Sequence, residues 1–119
     1  MIGIDLVKTE RIQNMIERHG ERALARFLCE SEIALVRRPH TAAGFWAAKE
    51  ACAKALGCGI GAECGFHDIV ITKTDKGAPQ LSLTSAVRER FGIGGTSLSI
   101  THDGDYAIAV VALEGTKTL

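Results

Sequence analysis

An α+β fold, with a mainly antiparallel sheet packed on a long central helix, is the class the sequence predicts. Helical periodicities fall early in the chain, and alternating segments with a hairpin signal fall late. Between them, over 42–56, runs an Ala-rich helix that is apolar almost all round. The 119 residues suit one domain, 1–119, with no repeat or linker to divide it.

Residues 2–7 alternate as a strand does, with Ile2, Ile4 and Leu6 on one side and Gly3, Asp5 and Val7 on the other. Thr9 is a suitable N-cap for a helix through Ile12, Met15 and Ile16 that Gly20 breaks. A second helical stretch carries Leu24, Phe27 and Leu28, and Ser31 can cap a third with Ile33, Leu35 and Val36. Thr41 caps the Ala42–Leu56 helix, and Gly57 ends it. The Gly57–Gly61 loop has the glycines of a phosphate cradle but follows a helix, so Gly57 reads better as a C-cap. Ile69–Ile71 is a strand, Asp75-Lys76-Gly77 a turn, and Leu81 and Leu83 alternate in the next strand. Thr84 or Ser85 starts a short helix to Phe91. Leu98 and Ile100 share a face of a strand ending at Thr101-His102. Asp103-Gly104 signals a two-residue hairpin, and Tyr106–Leu113 returns as an apolar strand.

Composition narrows the function. Hydrophobic residues at 46% and charged residues at 24% are ordinary for a folded domain and argue against disorder. The 14 Lys+Arg balance 14 Asp+Glu, which argues against a general nucleic-acid binder; an anionic ligand must meet a local cluster. No membrane span or secretion signal is expected, because no apolar run is long enough and the chain opens Met1-Ile2-Gly3-Ile4-Asp5. Cys29, Cys52, Cys58 and Cys64 make no C-x-x-C pair, so a zinc knuckle is not expected. Cys29 and Cys52 read as small core hydrophobes, the thiols as reduced, and the location as cytoplasmic.

The middle helix carries the chemistry. Phe45, Ala48, Cys52 and Leu56 form one apolar stripe, yet Trp46, Ala47, Ala51 and Ala53 leave little polar surface elsewhere. Such a helix is buried by its own fold or by a partner subunit, and Lys49, Glu50 and Lys54 on it then need partners or a ligand. Glu50 and Lys54 share a face, either as an ordinary i,i+4 pair or as groups directed at a ligand. Lys49 sits at the edge of the stripe and reads as structural. Asp5 lies inside an apolar strand, where a carboxylate needs a cation or several donors. Asp5 and Glu50 together would supply two hard oxygens of the kind that Mg²⁺ takes beside water and phosphate. His102 ends a strand beside a turn, where a side chain can reach a cleft; His19, His40 and His67 have no such context. Arg11 and Arg18 lie on one helical face with Met15 between them. That is either a solvated face, since Glu10, Glu17 and Glu21 interleave, or a strip suited to an acidic helix.

Three segments together resemble a known family. These are Gly3-Ile4-Asp5-Leu6-Val7, then Trp46-Ala47-Ala48-Lys49-Glu50-Ala51 with Lys54, then Ile100-Thr101-His102 before a Tyr-Ala strand. In this order, over almost the whole chain, they look like holo-acyl-carrier-protein synthases, the small bacterial type of 4′-phosphopantetheinyl transferase. The resemblance implies a fold of that type that forms a homotrimer with active sites at the subunit interfaces. It implies transfer of phosphopantetheine from coenzyme A to a serine of apo acyl carrier protein, leaving 3′,5′-ADP. Asp5 and Glu50 would then hold Mg²⁺ against the pyrophosphate. Lys54 would neutralise phosphate charge, and His102 would lie at the coenzyme A site. Glu50, directly or through a metal-bound water, is the candidate base. Arg11, Met15 and Arg18, with Arg22 as an addition, would meet the acidic helix of the carrier protein. Two positions depart from the family's pattern: Phe45, where many members have Arg, and Ala78, where many have the Lys of a Gly-Lys-Pro turn. Both remove a cation that could contact coenzyme A phosphates, and Lys76 is the candidate substitute. A trimeric binding module without transfer activity, and a pyrophosphate hydrolase using the same carboxylates, are the competing expectations.

Overall fold

The computed structural model describes residues 1–116; positions 117–119 of the predicted domain lie outside the described residues. Strand β1 (Ile2–Lys8) is followed by helices α1 (Thr9–His19), α2 (Glu21–Phe27), α3 (Glu30–Ile33) and α4 (Pro39–Leu56). After a 3-10 turn at Phe66–Asp68 come β2 (Ile69–Lys73), β3 (Pro79–Leu83), α5 (Ser85–Phe91), β4 (Ile93–Asp103) and β5 (Tyr106–Gly115). One sheet has the order β1-β5-β4, and β2-β3 form a second; every pairing is antiparallel. The fold is α+β, with α4 packed against β1 and β5.

Several boundaries differ from the expected ones. Helix α4 begins at Pro39 rather than Ala42, because proline at the first helical position has no amide to leave unpaired. Arg38, not Thr41, is its N-cap, and Lys8, not Thr9, is that of α1. Cys29 rather than Ser31 precedes α3; it is half-buried and its amide donates to Glu32 Oε1 at 2.8 Å, so it is not a core residue. The hairpin turns on Gly104-Asp105, since Asp103 still pairs with Tyr106 and Gly104 supplies the positive φ of 58°. Gly57 ends α4 in the left-handed conformation, as its position suggests.

Strand β1 divides by side. Gly3, Asp5 and Val7 face α4. A Cβ on Gly3 would run into the Ala51 carbonyl oxygen and sit 2.7 Å from the Ala55 nitrogen, so only glycine lets strand and helix come this close. Ile2, Ile4 and Leu6 point away, 75%, 59% and 57% exposed, beside the exposed Val110 of β5. Helix α4 is itself buried by its own chain: Ala43, Ala47, Ala48, Ala51 and Ala53 are all inaccessible. Its all-round apolarity is therefore met by its own fold, the first of the two alternatives that the sequence leaves open.

Lys49 is fully buried, and its partner was not visible in the sequence. Its Nζ donates to Glu32 Oε1 at 2.8 Å, to the Phe27 carbonyl at 2.7 Å and to the Phe66 carbonyl at 3.0 Å. Glu32, also buried, accepts from the amides of Cys29 and Ile71. Burial pulls the Lys49 pKa down while Glu32 opposes the shift. Removing one member strands the other's charge, at a cost of about 3–5 kcal/mol. Lys49→Met should lose about that much in urea unfolding. Glu32→Gln/Lys49→Met, which removes both charges but keeps an amide acceptor, should recover part of the loss.

Candidate active site

Asp5 and Lys54 meet where β1 crosses the last turns of α4. Lys54 Nζ donates to Asp5 Oδ1 at 2.9 Å and to the Ile4 carbonyl at 3.2 Å. The cation that Asp5 required is thus Lys54, and the i,i+4 pair of Glu50 with Lys54 is not formed as an ion pair. Glu50 is half-buried with no cation at ion-pair distance among the described residues. Its pKa is raised, first by burial and then by the Asp5 carboxylate, against the weaker pull of Lys54 and Arg11. Two carboxylates are thus held close enough to repel, beside an exposed lysine. A divalent cation would relieve that repulsion. No third His, Cys, Asp or Glu joins them into a cluster among the described residues. Such a two-carboxylate donor set suits Mg²⁺, which keeps several positions for water and phosphate oxygens.

His102 lies elsewhere, in a pocket of about 220 Å³ at the start of α4, lined also by His40, Gly44 and Lys73. Its ring packs beside that of His40, with centroids 4.9 Å apart. Burial on that side, then the His40 and Lys73 charges, hold its pKa below the ordinary histidine value. Lys73, not Lys76, supplies the lysine of the pocket, and Phe45 adds a buried apolar wall.

An open groove of about 580 Å³ runs along α1. Arg11, Met15 and Arg18 line it together; Arg22 is exposed on α2 and does not, whereas Arg26 does. Sequence reasoning missed its floor. Trp46 packs tilted against Phe66, with centroids 4.9 Å apart, and edge-on at 5.1 Å to buried Phe27, and the Arg11 guanidinium sits 5.3 Å from the centre of the Trp46 ring. The polarity break at Trp46 on an otherwise Ala-rich helix was the available signal. Arg11 joins this groove to the carboxylates, since its charge reaches Glu50.

Comparison with known proteins shows the family and the fold. The model of the 4′-phosphopantetheinyl transferase superfamily matches residues 1–111. The holo-[acyl-carrier-protein] synthase of Wolinella succinogenes is 62% identical over 114 residues, covering 96% of this chain and 97% of that one. That of Sulfurimonas denitrificans is 58% identical over 116 residues, covering 98% and 96%. The crystal structure of the Helicobacter pylori holo-[acyl-carrier-protein] synthase in complex with coenzyme A superposes with a TM-score of 0.93. It is 46% identical, covering 96% of this chain and all of that one.

The raised Glu50 pKa has a stability consequence. Ionising Glu50 costs the fold nothing below the unfolded carboxyl's pKa of about 4.3, and the full penalty above its own raised value. With chelator present, Glu50→Gln should therefore melt higher than the parent at pH 7–8, and the gap should close as pH falls toward 4. Equal melting temperatures at pH 7 would show that the two carboxylates are not in conflict.

Proposed function

The chain belongs to the 4′-phosphopantetheinyl transferase superfamily, and from that premise we propose that it is a Mg²⁺-dependent holo-[acyl-carrier-protein] synthase acting as a homotrimer. The observation that carries this reading is the convergence of Asp5, Glu50 and Lys54 beside the Arg11–Trp46 groove. In the proposed reaction, a serine oxygen of apo acyl carrier protein attacks the phosphorus that bears pantetheine. The bond from that phosphorus to the 3′,5′-ADP oxygen breaks. Glu50, its pKa raised by burial and by the Asp5 carboxylate, is suited to take the serine proton. Lys54 is more than half exposed and able to swing from Asp5, so it can neutralise the oxygen charge that grows on the leaving group. Mg²⁺ held by Asp5 and Glu50 would supply Lewis acidity and orientation to the pyrophosphate.

Arg11, Met15 and Arg18 offer the carrier protein a strip of charge around an apolar centre, with Arg22 at its flank. Coenzyme A as the donor is supported by the complex of the Helicobacter pylori relative. The trimer reading is supported by the exposed apolar face of Ile2, Ile4, Leu6 and Val110. No helix among the described residues is long and apolar enough to cross a membrane. A cytoplasmic setting is the one in which coenzyme A and a carrier protein would be met.

Intact mass spectrometry tests the reaction. Apo acyl carrier protein mixed with coenzyme A, Mg²⁺ and this protein should gain one phosphopantetheine mass, and a chelated sample should not. Asp5→Ala and Glu50→Ala should each abolish the gain. Consumption of coenzyme A without the gain would point to a hydrolase, and binding without consumption to a non-catalytic module. Sedimentation tests the assembly: the protein should run as a trimer, and Ile4→Lys as a monomer. A trimer that survives Ile4→Lys would move the interface off this face.

A further inference from the structure

The buried ammonium of Lys49 holds more than its ion pair. Its two carbonyl acceptors belong to Phe27 and Phe66. The rings of those same residues pack on each other, with centroids 6.1 Å apart, and on Trp46, at the floor of the groove along α1. The third acceptor, Glu32, is fixed by backbone: Oε1 also takes the Cys29 amide at 2.8 Å, and Oε2 takes the Ile71 amide at 2.8 Å. No buried side-chain nitrogen or oxygen lacks a partner among the described residues. A buried pair of this kind adds little net stability over apolar groups of the same shape, because desolvation offsets the attraction. What it adds is direction. Hydrogen bonds to three separate segments constrain the rotation of α4, whereas apolar contact has no preferred direction. Trp46 precedes Lys49 on the helix by three residues, and Glu50 follows it directly.

Transfer needs the incoming oxygen and the group that takes its proton to meet within hydrogen-bond reach. In the reading above, the oxygen arrives with a carrier protein seated in the α1 groove, and the proton goes to Glu50. Those two positions are set by different parts of the fold, the groove floor and the helix. We propose, on the footing of that reading, that Lys49 is a positioning residue for the transfer: by tying the Phe27 and Phe66 carbonyls to α4, it fixes the groove floor and the Glu50 carboxylate in one relation. Lys49 is wholly inaccessible, so it acts through these neighbours and touches neither substrate nor metal. A misplacement of about 1 Å in such a relation can cost about a hundredfold in rate.

Two variants separate position from stability. Glu32→Gln keeps the ammonium and both phenylalanine carbonyls but strands a buried charge. Glu32→Gln/Lys49→Met removes the charge and the ammonium together, and should melt higher than Glu32→Gln. Each is taken as the assembled protein, at a temperature where circular dichroism shows it folded. The readings are kcat and KM with apo acyl carrier protein, and Mn²⁺ binding by isothermal titration without coenzyme A. Glu32→Gln should keep kcat within about threefold of the parent. The more stable double variant should lose at least about tenfold in kcat and about tenfold in Mn²⁺ affinity, with KM for the carrier within about twofold. Lys49→Met alone should show the same losses, which covers a double variant that does not fold. A kcat and Mn²⁺ affinity that follow melting temperature across the variants, or that match the parent in all of them, would overturn the assignment while leaving the transferase reading in place. A parent protein that neither transfers nor binds Mn²⁺ would remove the transferase reading itself.

Discussion

The buried contact between Lys49 and Glu32 is the constraint on which the site depends. Four parts of the fold meet at it: the end of α2 at Phe27, the start of α3 at Cys29, α4, and the β2 amide at Ile71. A lysine whose ammonium must reach three fixed acceptors sets the rotation of its helix. Glu50 is the next residue, about 100° further round at 3.6 residues per turn, and so it emerges toward β1. Residue 54 follows one turn later on the same side, above Asp5. The charge that is sealed away therefore aims the charges that are left open.

The helix that holds these groups also separates two kinds of anion chemistry. Its first turns, with His40 and Gly44, face a pocket rich in nitrogen donors. Its last turns, with Glu50 and Lys54, face carboxylate chemistry. One rigid element of 18 residues fixes both ends, so neither depends on a loop for its position.

Much of the site could be read from single anomalies. A carboxylate in an apolar strand and charges on a helix without a polar face are costly, and cost of that kind points to a partner or a ligand. Asp5, Glu50 and Lys54 stood out for this reason, and the structure brings them together. What could not be read was pairing across the chain. Glu32 looks like any acidic residue of a short helix, and only the folded chain brings it to Lys49. His40 looked idle because the ring it packs against comes from β4, sixty-odd residues away. What buries α4 was left open for a related reason: a run of alanines tells how close neighbours come, but not whether they belong to the same chain.

The sheet that carries Asp5 joins the two ends of the chain, with Ile2–Lys8 paired along Tyr106–Ala112. Its first strand cannot find its partner until almost all of the protein has left the ribosome. At about 5–20 residues per second, that wait lasts roughly 5–20 s. During it, the strand bearing Ile2, Ile4 and Leu6 lacks its neighbour in the sheet, β5. A topology built on pairing over so long a separation folds slowly, and the strand that waits has an apolar side at Ile2, Ile4 and Leu6. The nascent chain is thus most exposed to chaperones, and to aggregation, at the end that later holds the site together.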